Sequence, residues 1–279
     1  MPDGTLGGVG ALDAVTGWPV GSAAVAVTDA GRTLAETGAD EPYPWASVTK
    51  LITALAVLSA VDRGEVTLDE PAGPPGATLR HLLAHASGLQ PDSDAVIGPP
   101  GRRRVYSNRG IEVAAELVAE RTGTAFEKLL RERVLAPLGM DGTVLDGSPA
   151  HGARGPVGDL MRLGRELLAP TLVPALMPEA TQPVFPGLTG VLPGFGRQDP
   201  NDWGLGFEIR DSKHPHWTGS ANSPATFGHF GQSGSFLWVD PVAGLACASL
   251  SDRAFGEWAV EAWPPLADAI LEEFREHRR

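Results

Sequence analysis

The stretch YPWASVTKLITALAVLSAVDRGEV, residues 43–66, decides how this chain is read. It places a hydroxyl, Ser47, three residues before an amine, Lys50, and follows them with a long apolar run. The spacing predicts a helix over residues 47–62 that ends near Gly64. Ser47 and Lys50 then share one helix face, about 4.5 Å apart along the axis. Ser47 falls in the first turn, where unpaired backbone N–H groups favour developing negative charge. A serine hydroxyl is a poor nucleophile until a base stands beside it. The apolar run would bury the lysine stem, and burial depresses a lysine pKa. From ~10.4, a drop of roughly 3 units gives a base that is neutral near pH 7, at a cost of about 4 kcal/mol. Taken alone, Ser-x-x-Lys recurs by chance, usually as a cap followed by a solvated lysine.

The rest of the chain supports a globular enzyme. Its 279 residues are 42% hydrophobic and 20% charged, enough for one large domain or two intimate lobes. A net charge of −12 argues against a nucleic-acid partner, and the single basic run, Arg102-Arg103-Arg104, is too short to reverse it. The one cysteine, Cys247, excludes an internal disulfide and sits in a strand-like GLACASLS, where a buried inert thiol is expected. The first residues, MPDGTLGGVGALDAV, carry no basic residue and no continuous apolar core, so no secretory signal is expected. The run Leu51 to Val61 is far too short to span a membrane, and a cytoplasmic protein is the expectation.

SAAVAVTDAGRTLAETG reads as a hairpin around Asp29-Ala30-Gly31. ATLRHLLAHASGL gives a short helix after Thr78. NRGIEVAAELVAERTG and AFEKLLRERVLAPLG are helical, closed by Gly123 and Pro137, and GDLMRLGRELLAP is a further short helix. Residues 171–203 read as a long irregular connection, and GLGFEIR returns to strand. GSFLWVDPVAGLACASLSD is a second hairpin, and the last segment is expected to be helical after Pro264-Pro265. Strands at both ends with helices between them predict an α/β (α+β) fold: one antiparallel sheet flanked by helices, with a mostly helical second lobe. The expected organisation is one domain over residues 1–279. A sheet lobe would take about residues 1–70 and 204–279, and a helical lobe about residues 71–203.

Two further boxes bear on the chemistry. VYSNRG supplies Tyr106, one of only two tyrosines, with Ser107 and Asn108. A phenol near an ammonium loses its proton more easily and can act as a base. The plain alternative is a tyrosine and an N-cap asparagine opening a helix. TFGHFGQSGSFLWVDP places His229 and two glycines just before a strand, where small residues would let a substrate backbone approach. The plain alternative is a Gly-rich approach to a hairpin. His81 and His85 stand four apart on a helix, but with Leu-Leu between them and no Glu a structural role is expected rather than a metal site. KHPHW reads as loop histidines near the third box, either solvated or on a substrate rim.

Together, Ser47-Val48-Thr49-Lys50, Tyr106-Ser107-Asn108 and His229-Phe230-Gly231 resemble the three ordered active-site boxes of the serine β-lactamase and penicillin-binding-protein superfamily. The closest likeness is to the class C β-lactamase-related branch, with its esterases, D-amino-acid peptidases and acyltransferases. LLAHASGL, APLGMDGT and LWVDP look like connecting segments of that branch, so the likeness runs from about Ala24 to Leu250. The resemblance implies that Ser47 is acylated and that Lys50 and Tyr106 share the proton transfers. It implies an oxyanion hole from the backbone N–H groups of Ser47 and Gln232. It also places Asn108 on a substrate amide or hydroxyl, His229 and Gly231 along the site, and His85 and Ser87 in a structural loop. No cofactor is implied, and the partner is a small acyl substrate. His229 stands where typical members carry a lysine, a permanent cation for a substrate carboxylate, so an esterase or amidase is expected. β-Lactamase or D-alanyl-peptidase-like activity, acyl transfer, and a non-catalytic binding role on the same fold remain open alternatives.

Overall fold

The first hairpin forms as expected. In a computed structural model describing residues 10–275, β1 (Ala23–Thr28) pairs with β2 (Thr33–Thr37). The first nine residues, on which the reading of the N-terminus rests in part, lie outside the described residues. A short β3 (Tyr43–Pro44) leads through a 3-10 turn, Ala46–Val48, into α1 (Thr49–Asp62). α2 (Leu79–Leu83), α3 (Asn108–Thr122) and α4 (Phe126–Leu130) follow. Gly123 caps α3 with φ 64, a left-handed conformation that glycine takes without a Cβ clash. α4 widens into a π turn over Arg131–Leu135 before Pro137. β4 (Val144–Leu145), β5 (Ala153–Gly155) and α5 (Val157–Leu168) complete the middle of the chain.

Three sequence expectations are corrected beyond this point. The connection over residues 171–203 holds a one-turn helix, α6 (Met177–Ala180), and a small hairpin, β6 (Gly190–Leu192) with β7 (Gly196–Gln198). After the short β8 (Glu208–Ile209), the third box is itself a strand, β9 (Phe227–Gly231), rather than a loop ahead of one. It lies between β8 and β10 (Ser235–Asp240), buried along its whole length. After β11 (Leu245–Ser251), the last helix, α7 (Glu257–Glu273), runs straight through Pro264 and Pro265. Each proline deprives the carbonyl four residues earlier of its donor, here at half-buried Val260 and exposed Glu261. Burial of Trp258, Trp263, Ile270 and Leu271 along one side of α7 outweighs that loss.

The main sheet has the order β2-β1-β11-β10-β9-β8, and β1 pairs antiparallel with β11 across nearly the whole chain. Both faces are covered. Alternate residues of each strand point to opposite faces, so Ala24, Ala26, Leu237, Val239, Ala246 and Ala248 face a core shared with α1 and α5. Val25, Val27, Phe236, Trp238, Leu245 and Cys247 face α7 and the 3-10 turn Ala11–Gly17. Burial on both faces is why the central strands read as apolar runs without alternation. α1 is buried from Thr49 to Ala60, so it has no polar face to display. That continuous burial encloses the Lys50 stem.

Candidate active site

Ser47 is held by the turn that precedes α1. Ala46, just before it, has φ 44, a strained left-handed conformation for a residue with a Cβ. Trp45 over-determines that backbone. It is fully buried, its indole N–H donates to Gly155 O at 3.1 Å, and its backbone N–H donates to Ala153 O at 2.9 Å. Its carbonyl accepts from Ser235 Oγ at 2.7 Å. The end of β9 presses against this turn, and a Cβ at Gly231 would stand 2.5 Å from both Trp45 O and Ser235 Oγ. Gly231 thus makes room for the serine turn rather than for substrate backbone. Ser47 itself stays half-buried and reachable.

Lys50 is completely buried. Its Nζ lies 3.1 Å from Ser47 Oγ, 2.7 Å from Asn108 Oδ1 and 2.8 Å from Ala150 O. Burial lowers its pKa to about 7, against the opposing charges of Asp92 and Glu112. A neutral amine has two N–H groups and one lone pair. Asn108 Oδ1 and Ala150 O are acceptors and take the two N–H groups, which leaves the lone pair for Ser47, whose O–H must then be the donor. Asn108 is held in the required orientation, because its Nδ2 donates to Asp92 Oδ1 at 2.7 Å. Ser107, not Asn108, is the N-cap of α3, its Oγ accepting from Gly110 N–H at 3.0 Å.

Tyr106 donates its hydroxyl to Ser47 Oγ at 2.6 Å. Although half-buried by surface area, its ring is hemmed in by His85 at 4.7 Å, Trp203 at 5.7 Å and His229 at 5.8 Å between centroids. Burial pushes the phenol pKa up and the Ser47 hydrogen bond only partly opposes this. Burial thus works against the ready ionisation expected of Tyr106, whose phenol holds its proton at neutral pH. His85, fully buried, accepts the Ser107 N–H on Nδ1 at 3.1 Å and so ties the second box to its loop.

His229 is buried, and burial first, then the nearby Lys50, lowers its pKa to about 3. Its Nδ1 lies 2.6 Å from Phe230 O. A carbonyl only accepts, so Nδ1 carries the proton and Nε2 of the neutral ring is left as an acceptor, with no protein partner. Ser47, Tyr106, Asn108, His229 and Gln232 line one cavity of about 90 Å³, walled also by Leu192, Trp203 and Phe230. Trp203, the Ala150 carbonyl and Asp92 were not legible in the sequence. A backbone carbonyl carries no residue-type signal, and Trp203 stands in the irregular stretch.

Two basic groups go elsewhere. Arg104 is buried and donates to the carbonyls of Asn201, Ala84, Val184 and Phe185, so it is structural. In KHPHW, His214 is exposed together with Pro215. His216 is buried, with Nε2 2.9 Å from Glu208 Oε2, and Lys213 pairs with the other oxygen of the same carboxylate. Burial would raise Glu208, but Lys213 and His216 hold its carboxyl well below the usual range. Neither histidine lines the cavity at Ser47. Burial pushes the Cys247 thiol up, consistent with an inert side chain.

With this fold and this cluster, a single match covers almost the whole sequence: the family described as Beta-lactamase matches residues 2–272, and the chain belongs to that family of serine hydrolases. Among solved structures it is similar to a beta-lactamase from Mycobacterium bovis, 53% identical, covering 95% of this chain and 99% of that one with a TM-score of 0.93. Among curated relatives it is similar to the D-alanyl-D-alanine-carboxypeptidase/endopeptidase AmpH of Escherichia coli, 29% identical over 141 residues, 37% of each protein. It is also similar to esterase EstB of Burkholderia gladioli, 43% identical over 75 residues, 22% of this chain and 18% of EstB. The chain thus spans well under half the length of the curated relatives it matches. No helix among the described residues is long and apolar enough to cross a membrane.

Proposed function

We propose that this protein hydrolyses small, uncharged esters or amides through an acyl-enzyme on Ser47. The observation that carries the reading is Ser47 Oγ held between Lys50 Nζ and the Tyr106 hydroxyl, with the lysine neutralised by burial. Ser47 Oγ attacks the substrate carbonyl carbon while its proton passes to the Lys50 lone pair. The backbone N–H groups of Ser47 and Gln232 receive the oxyanion, a contribution of about 3 kcal/mol per donor in other enzymes. Collapse breaks the bond to the leaving oxygen or nitrogen, which takes a proton from the Tyr106 hydroxyl, and Lys50 reprotonates Tyr106. Water then attacks the acyl-enzyme with the same groups in reverse order. Asn108 acts on Lys50, holding an amine proton and so aiming the lone pair.

The preference for neutral substrates rests on His229. A carboxylate would meet an imidazole lone pair where a lysine would offer a cation, and charged hydrogen bonds are roughly twice as strong as neutral ones. The test is intact-mass spectrometry after rapid quenching with p-nitrophenyl butyrate, followed by peptide mapping. The expected result is one butyryl adduct on Ser47. A protein that turns the ester over with no adduct on Ser47, or that fails to react with any ester or with a fluorophosphonate, overturns the reading.

A further inference from the structure

A second, larger cavity adjoins the catalytic one. It measures about 490 Å³ and shares Tyr106, Asn108 and Pro193 with the cavity that holds Ser47. One wall is the loop from Pro91 to Val105 and the other is β6. The strand period divides β6 between the two spaces. Leu192 is buried and faces the catalytic cavity, and its neighbour Val191, 59% exposed, faces the groove. Across from it stands Ile97, 39% exposed. Among the described residues, few large aliphatic side chains are left open to solvent, and these two line one groove beside Ser47.

The cavity at Ser47 is small: at about 90 Å³ it has less than a fifth of the groove's volume, so the larger part of a substrate extends beyond it. The remainder of the substrate must leave it, and among the cavities described only the groove shares lining residues with it. The charged lining residues are Asp92, Arg103 and Arg104. Arg104 is paired with Asp202 at 3.7 Å and spent on backbone carbonyls. That leaves Asp92, accepting from Asn108, and Arg103, donating to Ile97 O at 3.3 Å, opposed in charge, so the groove presents no net charge of one sign. We propose that the groove between Val191 and Ile97 is the subsite for an uncharged, apolar arm of the ester substrate, several carbons long. This rests on the acyl-enzyme reading above and names the substrate class.

Two ester series test it: p-nitrophenyl esters with acyl chains from two to eight carbons, and acetate esters of phenols bearing alkyl chains of the same lengths. In one series kcat/KM should rise about twofold to fourfold per methylene up to about six carbons, the upper figure being full burial of each group. Val191→Asp and Ile97→Asp, both at open surface positions, should flatten that rise several-fold, while Val242→Asp, 66% exposed and outside the groove, should not. A hemisuccinate ester should react more slowly than its apolar counterpart of equal length. Flat series in the wild-type protein overturn the inference, as does faster reaction of the hemisuccinate or equal flattening by Val242→Asp. Mass detection of acylated Ser47 separates the two levels. Acylation without chain-length dependence sinks the groove alone, and no acylation by any ester sinks the reading beneath it.

Discussion

Replacing Lys50 with Met tests the buried, neutral amine directly. Lys50 has a folded pKa of about 7 against the ordinary lysine value of 10.5. Between those values the unfolded chain binds more protons than the folded one, so this group makes stability rise with pH. The full penalty, about 5 kcal/mol, is present below pH 7 and vanishes above about pH 10.5. Methionine has nearly the same shape and no proton to bind. It leaves Asn108 Oδ1 and Ala150 O unpaired, about 1–3 kcal/mol each, but that loss does not change with pH. Other ionisable groups are common to both proteins and cancel in the difference. Relative to Lys50→Met, the wild type should therefore gain about 2 kcal/mol of stability between pH 7 and pH 9. The assay is urea unfolding of both proteins at half-unit pH steps, followed by tryptophan fluorescence. A difference that stays constant from pH 7 to 9 would mean that the lysine is charged in the fold, and the base assignment would fall with it. The wild-type kcat/KM should in turn rise with pH through about 7, as the base form fills.

Ser47→Ala should abolish the acyl adduct and lower ester turnover by on the order of 10³-fold or more. Combined with Lys50→Ala it should cost little more than either change alone, since the pair acts as a unit; multiplicative losses would make Lys50 merely structural. His229→Lys should shift kcat/KM for a chromogenic cephalosporin relative to p-nitrophenyl acetate by about tenfold to hundredfold toward the cephalosporin, and an unchanged ratio in a folded variant refutes the neutral-substrate reading. Asp92→Asn removes the charge that most opposes the lowering of the Lys50 pKa. The acid limb of the pH–rate profile should move to lower pH, and a shift to higher pH would contradict the role given to Asp92.

The spacing of Ser47 and Lys50, the three boxes in order and the two hairpins were legible in the sequence, because each is a local pattern in residue type. The pairing of β1 with β11 followed from strands at both ends. What the sequence left open belongs to groups brought together from afar. Whether Tyr106 is a base or a proton donor depends on the rings of His85, Trp203 and His229 that enclose it, and no feature of VYSNRG encodes that enclosure. The strand character of β9 was hidden by its glycines, one of which exists because the Trp45 backbone passes 2.5 Å from where a Cβ would stand. α7 crosses two prolines because tertiary burial of its tryptophans outweighs a local rule. The histidines of KHPHW separate into one exposed and one buried only when Glu208 and Lys213 are in place. By itself, then, the sequence determined which groups could react. Desolvation and hydrogen-bond direction, which depend on everything packed around a group, were decided by the tertiary structure, and they set which group holds the proton.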